Sequence, residues 1–224
     1  MTVGVIDVTD QAKLIAFIED VDGQHPLDLV IANAGITGFT ESKDDSYTVL
    51  QSTVNVTNTN VLGVANTVFP AIAKMCQRKY GQVVVMGSLS GNFPMLASPE
   101  YAAGKAYLKS LCRALRPYLA LYNVGLTVLA PGFVRTPLLA SPKKYPYEID
   151  SKTATALMVD AINRDVGYFP FPTVPAIMTT VLGSVHAAFF EILGPLLLTK
   201  IHPVVKARLT LSEAESANLK NKKK

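Results

Sequence analysis

The sequence predicts an open α/β sheet of parallel strands flanked by helices. Three short runs rich in Val, Leu and Ile recur at Leu27–Ala32, Gln82–Met86 and Leu126–Leu129. They lack strict apolar/polar alternation, as strands covered on both faces do. Longer stretches with apolar residues at helical spacing lie between them. Strand, helix, strand, helix, strand in that order implies right-handed crossovers and a parallel sheet.

Each element has its own justification. Met1–Asp7 reads as the end of a further strand, so a βα alternation is already running at the first residue. A helix from about Gln11 to Asp20 follows, with Leu14, Ile15 and Ile18 inward. Residues 44–77 place Val61, Val64, Val68 and Ile72 on one helical face. Residues 99–121 do the same with Leu108, Leu111, Cys112, Leu115 and Leu119. Ser98 is placed to cap that helix, with Pro99 at its first position. Residues 151–163 predict one more helix, and Gly167–Phe171 a final strand.

A chain of 224 residues is long enough for one large domain. With 49% apolar and 17% charged residues, disorder is excluded over most of its length. The net charge of +4 is uneven: Lys200–Lys224 holds seven basic residues against Glu213 and Glu215. The first 199 residues are left near neutral, with 14 basic and 15 acidic side chains. No basic stripe is interleaved with aromatics, which argues against nucleic acid as a partner. Cys76 and Cys112 fall in apolar helical patterns and read as buried free thiols of a reducing compartment. His25, His186 and His202 have no metal-ligand spacing, so no metal is expected. The N-terminus carries no basic region with an apolar core, so a cytoplasmic location is expected.

Ligands of open parallel sheets bind beyond the carboxyl ends of the strands. Three turns crowd that edge: Asn33-Ala34-Gly35, Gly87-Ser88 and Ala130-Pro131-Gly132. Each could equally serve the backbone alone, since glycine permits unusual turns. Tyr101 and Lys105 are four apart and share a helix face. Alone, the pair is as readily a surface contact. Its helix, however, directly follows the strand that ends in Ser88. Such a trio can move a proton to a ketone oxygen: Tyr101 gives it, a nearby ammonium favours the phenolate, and Ser88 holds the oxygen. A serine hydrolase is disfavoured, because Met86 stands where a nucleophile elbow needs glycine.

Together these segments resemble the short-chain dehydrogenase/reductase family over roughly residues 4–172. The resemblance rests on Asn33-Ala34-Gly35, Ser88 with Tyr101 and Lys105, and Pro131-Gly132-Phe133-Val134-Arg135-Thr136. It implies a Rossmann-like doubly wound sheet and an NADP- or NAD-dependent oxidoreductase that interconverts ketone and alcohol. It implies Tyr101 as acid/base, Ser88 orienting the substrate carbonyl, and Lys105 lowering the tyrosine pKa while holding the nicotinamide ribose. Asn60, in Asn60-Val61-Leu62-Gly63, would support a proton-relay water. Asp7 and Val8 would meet the adenine, Asn33, Ala34 and Gly35 the adenosine side, and Pro131, Gly132, Val134 and Thr136 the nicotinamide and phosphates. A homodimer through the helices at about 44–77 and 99–121 is also expected. The family's glycine-rich phosphate turn does not precede Asp7. Counted against the family, the first two strands and helices are absent, and the chain reads as part of a longer protein.

The expected organisation is a partial catalytic domain over 1–172, an apolar helical extension over 173–210 and a basic tail over 211–224. Tyr145-Pro146-Tyr147, within Lys143–Ile149, is placed to form a lid. Val174–Ile201 is long and apolar enough for a span of about 20 residues. Pro175, His186, Glu191, Gly194 and Pro195 interrupt it. A membrane span, a peripheral contact or greasy substrate entrance, and an ordinary interface helix all remain open. Lys200, Lys206, Arg208 and Lys220–Lys224 would favour anionic lipid on an intracellular membrane. The substrate expectation is therefore a hydrophobic or lipid-like molecule. The competing expectation is a catalytically impaired fragment that binds a membrane or a partner.

Overall fold

The structure, a computed structural model, describes residues 2–38, 49–93, 98–136 and 145–184. The helices are α1 (Gln11–Gln24), α2 (Val49–Thr57), α3 (Gly63–Arg78), α4 (Pro99–Ala120), α5 (Ser151–Asn163) and α6 (Thr173–Ser184). The strands are β1 (Leu29–Ala32), β2 (Gly81–Met86), β3 (Val124–Pro131), β4 (Val134–Arg135), β5 (Ile149–Asp150) and β6 (Tyr168–Phe171). Four of them form a parallel sheet in the order β1-β2-β3-β6, while β4 and β5 pair separately. The register sets Ala32 beside Val85, Met86 beside Leu129, and Pro131 beside Phe171. All four main strands therefore end at one edge.

The valine run of β2 divides between two cores because strand side chains alternate. Val83 and Val85 join Leu126 and Val128 under α1, α3 and α4, with Leu14, Ile18, Val68, Met75, Leu108 and Leu119. Val84 faces the other way and packs with Leu129 against Ala161 of α5. Full burial of each such side chain contributes about 1.5–3 kcal/mol. The α1–α3 pair is clamped at the entry to β1. Arg78 Nη1 donates to both carboxylate oxygens of Asp22 at 2.8 and 3.0 Å, and Leu27 N–H donates to Asp22 at 2.9 Å. Burial pushes the Asp22 carboxyl up, but Leu27 and Arg78 together outweigh it and hold it below the usual range.

Several expectations are corrected. Residues 2–7 are not a strand: Val3 and Val5 are exposed, and no described strand lies beside them to complete a ladder. β1 is covered on one face only among the described residues. Ala32 is buried, whereas Leu29 and Ile31 of the opposite face are 42% and 45% exposed. The helix expected over 44–77 is described from Val49 and passes through a π-helical turn at Asn58–Leu62 before α3. Ser98 precedes α4 but does not cap it with its side chain; its hydroxyl donates to the Thr37 carbonyl at 2.7 Å. Cys112 is buried, with its thiol pushed up to about 12 by desolvation, while Cys76 is only half-buried. Of the expected apolar extension, α6 is described and residues 185–210 lie outside the described residues, as does the tail over 211–224. Among the described residues, no helix is long and apolar enough to cross a membrane.

Candidate active site

Ser88 stands in extended backbone just past the carboxyl end of β2, and the strand ladder runs on through Gly87 before the chain turns at Leu89. Gly87 N–H donates to the Leu129 carbonyl at 2.6 Å, and a Cβ at Gly87 would lie 3.0 Å from that oxygen. The Ser88 side chain then caps the short 3-10 turn Leu89–Gly91, accepting from Ser90 N–H at 3.1 Å. Its hydroxyl also lies 3.1 Å from Ser90 Oγ. Gly91 presses the turn onto α4, where a Cβ would fall 2.8 Å from the Lys105 carbonyl. Ser88 is thereby fixed against the helix that carries Tyr101 and Lys105.

Lys105 is 4% exposed, and its Nζ donates to the Met86 carbonyl at 2.6 Å. The ammonium lies 5.5 Å from the centre of the Tyr101 ring. Burial lowers the Lys105 pKa to about 8. Tyr101 is raised above its ordinary value, chiefly by burial, with the neighbouring Ser88 hydroxyl pulling the other way.

Asn60 is fully buried in the π-helical turn. Its carboxamide donates to the Ile36 carbonyl at 2.7 Å and accepts from Ile36 N–H at 2.8 Å. Both polar atoms of the Asn60 side chain thus bond the loop after β1 through Ile36. Asn33 and Ala34 are exposed, and a Cβ at Gly35 would come within 3.3 Å of Asn60 Oδ1 and 4.0 Å of Lys105 Nζ. Glycine here keeps open the space between that loop and the ammonium.

Val8 is held from α3. Asn66 Nδ2 donates to the Val8 carbonyl at 3.0 Å, and a Cβ at Gly63 would lie 2.5 Å from Val8 Cγ2. The Asp7 carboxylate accepts from Thr9 N–H and Thr9 Oγ1, both at 2.8 Å, which hold it below its usual range. Across the edge, Gly132 N–H donates to the Phe171 carbonyl at 2.7 Å. Val134 lies in β4, paired with Ile149 of β5, and Thr136 is exposed just after it. Phe133 stacks on Tyr145 with ring centres 4.3 Å apart. The structure thus gathers Gly35, Ser88, Tyr101, Lys105 and Pro131–Gly132 at one edge; Val8 lies against α3, and the Asp7 carboxylate turns onto Thr9.

Sequence reading missed the supports. Asn66, which holds the Val8 carbonyl, stands one turn beyond Gly63 and belongs to no motif. Ser52 and Glu100, both buried and joined by a 2.7 Å hydrogen bond, tie α2 to the start of α4.

The short chain dehydrogenase family profile matches residues 1–145. This chain belongs to that family. A Myxococcus xanthus protein described as an uncharacterized oxidoreductase is 32% identical over 182 residues, covering 79% of this chain and 71% of that protein. The acetoacetyl-CoA reductase of Synechocystis is 34% identical over 135 residues, or 59% of this chain. The match spans 54% of that reductase, so the chain accounts for about half of its length. Two solved structures share the fold. A short-chain dehydrogenase from Streptomyces avermitilis superposes with a TM-score of 0.68 at 22% identity, over 84% of this chain and 76% of that one. One from Sphingobium yanoikuyae in complex with NADPH gives 0.68 at 17% identity, over 83% and 73%.

A nicotinamide cofactor can be tested against these residues. A buried ammonium that spends one N–H on Met86 keeps two for a ligand's hydroxyls, and Gly35 leaves the space beside it that a Cβ would fill. Those features fit the ribose end. The family's glycine-rich phosphate turn has no counterpart in the 224 residues.

Proposed function

We propose that the chain is the catalytic part of an NAD(P)-dependent oxidoreductase that interconverts a ketone and an alcohol on a hydrophobic substrate. The observation that carries this reading is the packing of Tyr101 between Ser88 and the buried Lys105 at the carboxyl edge of the sheet. When bound, the cofactor supplies or accepts the hydride. Lys105 would hold its ribose, with Asn33–Gly35 and Pro131, Gly132, Val134 and Thr136 along the remainder, and Asp7 and Val8 at the adenine. In reduction, Ser88 holds the ketone oxygen and Tyr101 donates its proton to that oxygen as the carbonyl carbon is reduced. The phenolate left behind is stabilised by the ammonium of Lys105. In oxidation, the same phenolate takes the alcohol proton. Asn60 would brace the loop through Ile36 and support a proton-relay water.

The NADPH complex of the Sphingobium neighbour supports NADP as one candidate, and NAD stands beside it. An acyl-thioester ketone is supported by the Synechocystis relative. The exposed stripe Val174, Ile177, Met178 and Val181 on α6 supports contact with a membrane surface or a greasy substrate. Exposed Leu62, Phe69 and Tyr107 support pairing of two copies through the helices around α3 and α4.

The test is turnover of an acyl ketone with NADPH and with NADH, followed by cofactor oxidation, in the wild-type chain and in Tyr101→Phe. Turnover that disappears in the variant while cofactor binding persists is expected. Turnover retained by Tyr101→Phe would remove the acid/base assignment. If calorimetry shows neither cofactor binding to the wild-type chain, the competing reading of a membrane- or partner-binding fragment takes its place.

A further inference from the structure

Asn92 ends the turn that carries Ser88, and three other elements meet on its carboxamide. Its Oδ1 accepts from Lys109 Nζ of α4 at 2.9 Å and from the Tyr168 hydroxyl of β6 at 2.6 Å. Its Nδ2 donates to Thr180 Oγ1 of α6 at 3.3 Å. The backbone is held as well. Asn92 N–H donates to the Leu89 carbonyl at 2.9 Å, and a Cβ at Gly183 would overlap the Asn92 carbonyl. One residue earlier, Gly91 lies against the backbone of Lys105. The Ser88 turn is therefore gripped between α4 on one side and α6 on the other. α6 begins at Thr173, two residues past the carboxyl end of β6, so it leaves from the same edge as the candidate site.

We propose that Asn92 is a positioning residue: through Lys109, Tyr168 and Thr180 it sets the Ser88 turn and couples Ser88 to the C-terminal helix α6. The meaning of this for catalysis rests on the oxidoreductase reading above; the coupling itself does not. An amide suits the position because it accepts from two donors and donates to a third group at once. Alanine offers none of these bonds, and leucine would bury the three partners against carbon. A movement of α6, whose outer face is apolar and exposed, would reach Ser88 through Thr180 and Asn92.

The coupling has a readout that needs neither cofactor nor substrate. Ser88 lowers the Tyr101 pKa against burial, and Lys105 is the charged group beside the ring. Phenolate formation at Tyr101 is followed by ultraviolet pH titration as the difference between each protein and its Tyr101→Phe partner, which cancels Tyr168. In Asn92→Ala, Tyr101 is expected to ionise at higher pH than in the wild-type chain. Ser88→Ala gives the same upward shift, and adding Asn92→Ala to it gives no more. Thr180→Val, which removes only the α6 bond and leaves Lys109 in place, shifts Tyr101 in the same direction by less. It carries the test if Asn92→Ala does not fold. A lower melting temperature with an unmoved Tyr101 titration in these variants would make Asn92 merely structural and overturn the proposal. Absence of cofactor binding by the wild-type chain would instead sink the oxidoreductase reading and leave the Asn92 coupling standing.

Discussion

Asn60 and Ile36 exchange two hydrogen bonds, side chain to backbone, at 2.7 and 2.8 Å. The pair joins the π-helical turn of Asn58–Leu62 to the loop leaving β1, and it satisfies both polar groups of one peptide residue from a fully buried carboxamide. Such reciprocity makes the loop's position a property of the helix.

Asn60→Ala would strand the Ile36 N–H and carbonyl in a partly buried site. Each unsatisfied group costs about 1–3 kcal/mol, so a loss of about 2–4 kcal/mol is expected from urea denaturation. Amide exchange at Ile36 should accelerate well beyond that at β2. A variant with unchanged exchange at Ile36 would show that other contacts hold the loop.

Lys105 supplies a prediction with a definite sign. Burial lowers its pKa from 10.5 to about 8 in the folded chain. Between those values the unfolded chain binds the extra proton, so stability rises with pH through this window and levels off above it. Below the folded value the full cost of a buried ammonium is present. Lys105→Met keeps the aliphatic stem and abolishes this rise. The stability difference between wild type and variant should therefore change by on the order of 3 kcal/mol across the window. Urea denaturation at stepped pH measures it, and a flat difference would mean that Lys105 ionises as in water.

How much of this was legible in the sequence depends on where the partners of each residue lie. β2 and β3 were legible because Val83, Val84 and Val85 are buried on both sides and leave a continuous apolar run. β1 carries the same kind of run, yet Leu29 and Ile31 face outward. Composition records what a strand would bury, not whether a second layer lies over it. Ser88, Tyr101 and Lys105 were legible because a strand end and one helical turn bring them together. Asn92 was not, since Lys109, Tyr168 and Thr180 come from three separate elements. The π-helical turn was hidden for another reason: the bond from Gly63 N–H to the Asn58 carbonyl belongs to the backbone and leaves no residue pattern.

Gly91 ties these threads into one further expectation. It is buried, and a Cβ there would sit 2.8 Å from the Lys105 carbonyl carbon and oxygen and 3.0 Å from Ala106 N. All three atoms are backbone in the interior of α4, which cannot yield as a flexible side chain would. The turn must move instead. Gly91→Ala should therefore cost about 1–3 kcal/mol, as overpacking does, and lift Ser88 away from α4. Gly104→Ala is the matched control on the same helix. Its Cβ would meet only Val61 Cγ2 at 3.4 Å, an ordinary contact with a side chain. Alanine also favours a helix interior over glycine by about 1 kcal/mol. Urea denaturation should thus find Gly91→Ala weakened and Gly104→Ala neutral or strengthened. Equal losses at both positions would mean that the Ser88 turn is not pressed against Lys105, and that the grip on Ser88 comes from Asn92 alone.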